Sequence, residues 1–313
     1  MSFDRCVSRA SVHKAVDAEV LLTDAAHIGG ERYAVAAVWR RDHYLGHQDG
    51  PASDPVLLME TARQAAIHLS HRFFDVAPGL PFVLSEISVD LSEALPEVSA
   101  EHLAVGLDVV CRRPAEGTRR LRFELTADVL VHHRPLGLVR VCWEPMEHRR
   151  YALLRRRVER EAEVTPSGPA PSRVPLRPAH VGHLAERDVL IDTDPLRANG
   201  WWLRLDQEHP VLFDHESDHV PGMALVEAFR QAGRVAAVDR RPGASGATLL
   251  DVAFRSFGEL DAPVSITAEP VGPVGPSGST FTFRARQGDR ELARSTVRYG
   301  TPLSSRARWE EAC

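Results

Sequence analysis

The feature that most constrains the fold is a six-residue phrase that occurs twice, at 60–65 and at 227–232. The first copy reads Glu-Thr-Ala-Arg-Gln-Ala and the second Glu-Ala-Phe-Arg-Gln-Ala, and each lies late in a mostly apolar run. A histidine-bearing segment precedes each copy, at 43–47 and at 209–215. Such a long repeat excludes a solenoid and indicates that one structural unit has been duplicated.

Length and composition agree with two units of ordinary domain size. The chain has 313 residues, of which 43% are hydrophobic, and domains usually span about 100–200 residues. The net charge of −5 gives no reason to expect nucleic acid as a partner. No stretch approaches the roughly 20 apolar residues of a membrane span, and the N-terminus lacks the apolar core of a secretory signal.

The four cysteines lie far apart without a CxxC pair. This spacing is typical of a reducing compartment, and it favours neither a disulfide framework nor a thiolate metal site. We therefore expect a cytoplasmic protein, and we predict no metal or other cofactor.

The periodicity predicts an α+β fold. The segments from Pro55 to about Leu69 and from Met223 to Val238 are predicted helices. Apolar residues occupy most of the circumference of each, which indicates that both helices are buried. Segments such as 121–126 alternate apolar and polar residues, as antiparallel strands do. We predict two tandem hotdog units, each a curved antiparallel sheet wrapped around a central helix, which together form a pseudo-dimer.

The predicted boundaries follow the repeat. The N-terminal hotdog domain spans 1–148, and the C-terminal hotdog domain spans 180–313. Between them, 149–179 combines a charged helix with a proline-rich connector, which is stiff and extended.

Charged residues within the two apolar helices are the first candidates for chemistry. Glu60 with Arg63, and Glu227 with Arg230, are three residues apart and share a helix face. Burying such charges is costly unless they are paired or used. One interpretation is an ion pair that fixes each helix to the sheet, and the other is a catalytic pair in a cleft. We select all four as candidate catalytic residues.

The residues before the second helix form an HExxH pattern, His215 to His219. A zinc protease needs both histidines on one helix face, but Pro221 and Gly222 indicate that the helix begins after the motif. These histidines fit better at the mouth of a cleft, where the helix N-terminus at Gly222 would stabilise an oxyanion. Ordinary loop histidines are the alternative. The candidate substrate-binding residues are Gln64, Gln231, His43, His209, His215, His219 and Gly222.

Six segments, in order along nearly the whole chain, resemble the A-factor biosynthesis family, the γ-butyrolactone signal synthases of Streptomyces and its relatives. The segments are 12–14, 19–23, 54–64, 209–215, 218–223 and 227–232. The resemblance implies a tandem hotdog enzyme that transfers a β-ketoacyl group from an acyl carrier protein thioester to a hydroxyl of dihydroxyacetone phosphate. The phosphorylated ester then leads toward a butyrolactone, furan or butenolide signal.

The second-half motif is also similar to that of hotdog fatty-acid dehydratases, in which a loop histidine precedes Pro-Gly and a helical acid follows. Glu227 and Glu60 match that acid. His215 is near the position of the histidine, but its spacing differs, and the first half has Asp54-Pro55 in place of Pro-Gly. The two sites therefore need not be equivalent.

The resulting hypothesis places acyl transfer in the cleft between the halves. Glu60 or Glu227 would act as general base if burial raises its pKa toward neutrality. Arg63 or Arg230 would hold the β-keto oxygen or the phosphate. The acidic carrier protein would dock on a run of arginines, at 149, 150, 155, 156, 157 and 160. A solvated helix face is the other interpretation of this run.

Two other classes stay open: a dehydratase or thioesterase acting on acyl thioesters, and a non-catalytic acyl-chain binder. The buried glutamates favour an enzyme, because a binder of neutral chains needs no buried carboxylate. The sequence leaves open the acyl chain, the active half, the final product, and whether two chains associate as a homodimer through exposed sheet edges.

Overall fold

A computed structural model describes residues 1–40, 45, 54–96, 102–114, 121–163, 171–240, 246–275 and 278–300. Within this part, the strands form one antiparallel sheet of 13 strands. They are β1 (Leu22–Gly29), β2 (Arg32–Trp39), β3 (Phe82–Leu91), β4 (Leu103–Arg112), β5 (Phe123–Val131), β6 (Arg134–Pro145), β7 (Val174–Pro175), β8 (Ile191–Thr193), β9 (Gly200–Leu203), β10 (Ala247–Phe254), β11 (Ser265–Gly275), β12 (Gly278–Gln287) and β13 (Arg290–Gly300).

The order of the strands shows the duplication. It runs β1-β2-β4-β5-β6-β3-β10-β13-β12-β11-β9-β8-β7. Read outward from the central β3–β10 pair, the halves match strand for strand, and β7 extends the second half by one strand. Each half has two strands, one long helix and then four strands, so the predicted tandem hotdog architecture is confirmed.

The two halves are joined by backbone pairing and not only by side chains. β3 and β10 run antiparallel, with Val89 opposite Leu250 and Ile87 opposite Val252. All four of these side chains are fully buried. β3 and β10 would each be an edge strand if the two halves were separate. Their pairing makes them interior strands of one sheet and removes two exposed edges.

Each half encloses one 19-residue helix, α1 (Pro55–Phe73) or α4 (Gly222–Arg240). α1 begins where the side chain of Asp54 accepts a hydrogen bond from the N–H of Val56 at 2.8 Å, with Pro55 in the first turn. Buried residues occur around nearly its whole circumference, as predicted. Both helices extend beyond their predicted ends, to Phe73 and Arg240.

Two buried tryptophans fix α1 to the sheet. Trp39 on β2 donates from Nε1 to the Thr61 hydroxyl at 2.8 Å, and Trp143 on β6 donates to the Ser70 hydroxyl at 3.0 Å. Each indole N–H therefore keeps a partner after burial, which avoids the cost of an unsatisfied donor.

Two further helices lie between the halves in sequence, α2 (His148–Glu163) and the one-turn α3 (Pro178–Val181). Part of the predicted connector, 164–170, is outside the described residues. The segment that follows forms β7, which pairs with β8. Among the described helices, none is both long and apolar enough to cross a membrane.

Candidate active site

Glu60 is the centre of a polar cluster in the first half, where its side chain is 1% exposed. Arg63 donates to both carboxylate oxygens, from Nε and Nη2, at 2.8 Å each. The amide of Gln64 donates to Oε1 at 3.0 Å, and the ammonium of Lys14 lies 3.4 Å from the same oxygen. Two cations thus surround one buried carboxylate.

This arrangement corrects the expectation that burial would raise the glutamate pKa. Burial alone would raise the pKa of Glu60, but the charges of Arg63 and Lys14 and the hydrogen bonds from Arg63 and Gln64 outweigh it and lower the pKa to about 2. The pKa of Glu227 is lowered as well, because Arg230 and His183 overcome its burial. Both groups are carboxylates at neutral pH.

Gln64 and Gln231 anchor the two helices in the same way. The side-chain oxygen of Gln64 accepts from the N–H of Leu21 at 2.9 Å, and its amide also donates to the carbonyl of Glu19 at 2.9 Å. Gln231 repeats the pattern with the N–H of Leu190 and the carbonyl of Asp188, at 2.8 and 2.7 Å. Both side chains bond to backbone and to the neighbouring glutamate, so they hold the clusters in register.

The second-half cluster resembles the first but is more closed. Arg230 donates to Glu227 from Nε at 2.8 Å and from Nη2 at 2.6 Å, and its Nη2 also donates to the carbonyl of Val181 at 2.9 Å. His183 Nε2 lies 2.7 Å from Glu227 Oε1, in the place that Lys14 occupies in the first half. The side chain of Arg230 is 6% exposed, against 21% for Arg63.

Each cluster receives a carboxylate from the opposite half. Asp54, which caps α1, lies 3.4 Å from Nε of Arg230. Asp214, in the loop before α4, lies 3.7 Å from the ammonium of Lys14 and accepts from the N–H of Ala15 at 3.2 Å. Both clusters are therefore built from the two halves together.

Asp214 also positions His215. Nδ1 of His215 is 2.6 Å from Oδ1 of Asp214. The Asp214 side chain is almost completely buried, whereas that of His215 is 62% exposed. Burial would raise the pKa of Asp214, but the hydrogen bond from His215 and the charge of Lys14 lower it. The buried carboxylate of Asp214 thus orients the imidazole of His215, and Nε2 of His215 is directed away from that carboxylate.

A pair of histidines lies beside this group. His71 Nδ1 is 2.8 Å from the carbonyl oxygen of Val76, which can only accept, so Nδ1 carries a proton. In the neutral pair, Nε2 of His71 then accepts from Nε2 of His13 at 2.9 Å, which leaves a lone pair on Nδ1 of His13. Burial, followed by the charges of His71, Arg63 and His215, lowers the pKa of His13 to about 4.

Two other predicted site residues, His209 and His219, make different contacts. His209 is buried, with Nε2 3.1 Å from Asp188 and Nδ1 accepting from the N–H groups of Val211 and Leu212. His219 contacts Asp218 at 2.6 Å. His43 is outside the described residues.

The HExxH pattern precedes the helix, as predicted. Residues 215–219 are not helical, and α4 begins at Gly222. An added Cβ at Gly222 would lie 3.3 Å from the ring of Phe254, so the close approach of this ring favours glycine at the start of the helix.

The predicted basic surface on α2 needs one correction. Arg155 is 4% exposed. It donates to the side chain of Asp218 at 3.1 Å and to both carboxylate oxygens of Glu259 at 3.0 and 2.9 Å. These hydrogen bonds attach α2 to the second half. They also supply the carboxylates that a buried guanidinium needs as partners. Arg149, Arg156, Arg157 and Arg160 are exposed.

The sequence interpretation missed several members of the clusters. Lys14, His13, Asp214 and His183 were not among the predicted site residues. The repeat contains a signal for Lys14 and His183, because Val12-His13-Lys14 corresponds to Val181-Gly182-His183. Both segments end a short helical turn, and His13 and Gly182 share a left-handed conformation with φ of 53° and 83°.

Comparisons with known proteins agree with this architecture. A family model described as the A-factor biosynthesis hotdog domain matches residues 2–146 and 164–301. A Streptomyces virginiae protein named 2-oxo-3-(phosphooxy)propyl 3-oxoalkanoate synthase is 35% identical over 273 residues, which cover 85% of this chain and 87% of that protein. A Streptomyces coelicolor protein of the same name is 29% identical over 270 residues, covering 82% and 79%.

Solved structures show similarity at the level of the fold. The 12:0-ACP thioesterase from Umbellularia californica matches with a TM-score of 0.54 at 12% identity, covering 88% of this chain and 100% of that one. An acyl-ACP thioesterase from Bacteroides thetaiotaomicron matches with a TM-score of 0.51 at 15% identity, covering 86% and 98%.

Proposed function

The chain belongs to the A-factor biosynthesis hotdog family, and on that premise we propose that it transfers a β-ketoacyl group from an acyl carrier protein thioester to a hydroxyl of dihydroxyacetone phosphate. The observation that carries the proposal is the first-half cluster. It brings Lys14, Glu60 and Arg63 together with Asp214 and His215 of the other half. Of these five side chains, those of Arg63 and His215 reach solvent.

Acyl transfer to an alcohol requires a base for the hydroxyl proton. We assign this role to His215, because Asp214 holds Nδ1 and leaves Nε2 to accept a proton. The hydroxyl oxygen then attacks the thioester carbonyl, and the thiol leaves with the proton that His215 has received. The backbone N–H groups at the start of α4, around Gly222, are proposed to stabilise the oxyanion.

The helix glutamates take a different part from the one first expected. A carboxylate that two cations hold at low pKa is a weak base at neutral pH. Glu60 instead fixes the guanidinium of Arg63 by two parallel hydrogen bonds, so that Arg63 can bind an anionic group of the substrate. Glu227 and Arg230 form the corresponding pair in the second half, and Gln64 and Gln231 are proposed as positioning residues.

The carrier protein is proposed to dock on the exposed face of α2. Arg149, Leu153, Arg156 and Arg160 share this face, and Leu153 is 59% exposed between the arginines. A basic stripe with one apolar residue complements an acidic helix that carries an apolar contact. Replacing Arg156 and Arg160 with glutamate should raise the KM for the carrier-linked thioester about ten-fold or more, with no effect on a short thioester. Equal effects on both substrates would exclude this surface.

The proposed reaction is tested by incubating the protein with a β-ketoacyl thioester and dihydroxyacetone phosphate, followed by mass spectrometry. The expected product is an ester that contains both the acyl chain and the phosphate. Release of free acid or dehydration of the chain, with the carrier-linked thioester also tested, would contradict the transferase assignment.

The role of His215 is tested with His215→Gln. We expect kcat to fall about 10²–10⁴-fold, while circular dichroism and thermal unfolding stay close to wild type because this side chain is largely exposed. His180→Gln, at an exposed histidine of α3, is the matched control and should retain full activity. Retained activity in His215→Gln would refute its role as the base.

We further propose that the ester is a precursor of a butyrolactone-type, furan or butenolide signal. A cytoplasmic location is proposed from the free cysteines. Cys6, Cys111 and Cys142 are free thiols, which supports this location because a reducing compartment keeps thiols reduced.

A further inference from the structure

Besides the exchange of Lys14 for His183, the two polar clusters differ at a further pair of corresponding positions. In the second half, the side chain of Arg234 lies over Gly182, within 3.2–3.3 Å of the place where a Cβ would be. In the first half, Ile67 occupies the helical position of Arg234, and His13 replaces Gly182. Arg234 thus fills the space beside Gly182, and Glu227 and His183 have no exposed side-chain surface.

The first cluster instead presents cationic and titratable groups toward solvent. Arg63 is 21% exposed and His215 is 62% exposed, and His13 and His71 are half-buried beside them. The charges that face His13 are those of His71 and Arg63 on α1 and of His215 in the loop before α4, and Phe82 packs edge-on against its ring. The carboxylates of Glu60 and Asp214 are engaged by Lys14 from the buried side.

We propose that the group formed by His13, Arg63 and His71 is the binding site for the phosphate monoester of the acyl acceptor, and that the second-half cluster is a structural counterpart that binds no phosphate. This inference rests on the proposed function, because it identifies which half holds the acceptor. Arg63 would donate to the phosphate oxygens, and His13 would contact them from the facing side.

The physical reason for phosphate binding at this site is the protonation of His13. In the free protein, burial and then the neighbouring charges of His71, Arg63 and His215 lower the pKa of His13. A bound phosphate dianion offsets that repulsion, so His13 takes up a proton from solvent and forms a charge-assisted hydrogen bond. His215, which faces the same space, then lies near the hydroxyl of a small phosphorylated acceptor. No bond of the phosphate is broken.

The site is tested by isothermal titration calorimetry with dihydroxyacetone phosphate and, separately, with inorganic phosphate. Titrations at pH 7 in two buffers of different ionisation enthalpy measure proton uptake. We expect uptake by the wild-type protein and binding that weakens about ten-fold or more in His13→Gln and Arg63→Gln, with proton uptake lost in His13→Gln. His180→Gln is the control for the loss of an exposed histidine and should match wild type.

Kinetics then distinguish the phosphate of the acceptor from the phosphate of the carrier's pantetheine arm. His13→Gln should raise the KM for dihydroxyacetone phosphate and leave the KM for the thioester unchanged, whereas the opposite pattern would overturn the inference. The inference would also be overturned if His13→Gln and Arg63→Gln bound phosphate as the wild type does, or if only Arg234→Ile altered phosphate binding. Phosphate binding at the cluster without acyl transfer would refute the proposed function alone, and transfer with an unchanged acceptor KM in His13→Gln would refute the phosphate site alone.

Discussion

Replacing Glu227 with glutamine should destabilise the protein by about 3–5 kcal/mol, the usual cost of leaving a buried charge without its partner. Glu227 is fully buried and binds Nε and Nη2 of Arg230. After the substitution, Arg230 stays buried, and the carboxylate of Asp54, 3.4 Å from its Nε, is a more distant counterion. The amide of glutamine cannot supply the missing charge.

Glu60→Gln is the matched comparison because it makes the same chemical change at the corresponding helix position. Lys14 keeps the carboxylate of Asp214 at 3.7 Å, and the partly exposed Arg63 can turn toward water. We expect a loss of about 1–3 kcal/mol, as for hydrogen bonds to charged groups.

Urea unfolding, followed by circular dichroism, measures both free energies of unfolding. The double variant Glu227→Gln/Arg230→Met should recover part of the loss, since it removes the uncompensated charge. A larger loss in Glu60→Gln than in Glu227→Gln, or no recovery in the double variant, would refute the argument that the second-half cluster is the closed, structural one.

Three further predictions concern stability. The pKa values of His13 and His68 are lowered from 6.5 to about 4, so the unfolded chain binds more protons and stability should fall as pH drops from 6.5 to 4. The slope is at most about 1.4 kcal/mol per pH unit for each histidine, and less for the partly solvated His13; urea titrations in which His68→Gln has the wild-type slope would contradict this. Gly137→Ala would place a Cβ 2.5 Å from a backbone carbonyl oxygen of β3, which should cost about 1–3 kcal/mol, and a wild-type melting temperature would argue against it. Arg155→Ala should cost about 2–3 kcal/mol through its lost charged hydrogen bonds, whereas the exposed Arg156→Ala should cost almost nothing, and equal unfolding midpoints would show that Arg155 does not fasten α2.

Much of the fold could be predicted because it depends on local patterns. The apolar circumference of α1 and α4 indicates burial, and the repeated Glu-x-x-Arg-Gln phrase indicates that both helices occupy the same environment. The strands β1, β7 and β8 were not predicted as strands. β7 and β8 have only two and three residues, too few for an alternation to be recognised, and they form because neighbouring strands supply their hydrogen bonds.

The site was predicted less completely because its charges come from distant parts of the chain. The sequence indicated that Glu60 and Glu227 are buried, but the sign of their pKa shift depends on the number of cations that reach them. Burial alone raises the pKa of a carboxyl group, whereas Lys14 and Arg63 together lower that of Glu60. Similarly, Arg155 looked like its exposed neighbours in sequence, and only the position of Asp218 and Glu259 makes it a buried anchor.

The sequence by itself determined the duplication, the two buried helices, the antiparallel strands and the family, because periodicity and repeated motifs are properties of consecutive residues. Only the tertiary structure decided that the halves share one sheet, that Asp54 and Asp214 each cross to the opposite half, and that the two clusters differ. In the second half the side chain of Arg234 lies against Gly182, whereas His13 and Ile67 stand at the corresponding positions of the first half. Such pairs are far apart in the chain, and folding alone determines which side chains lie beside each cluster.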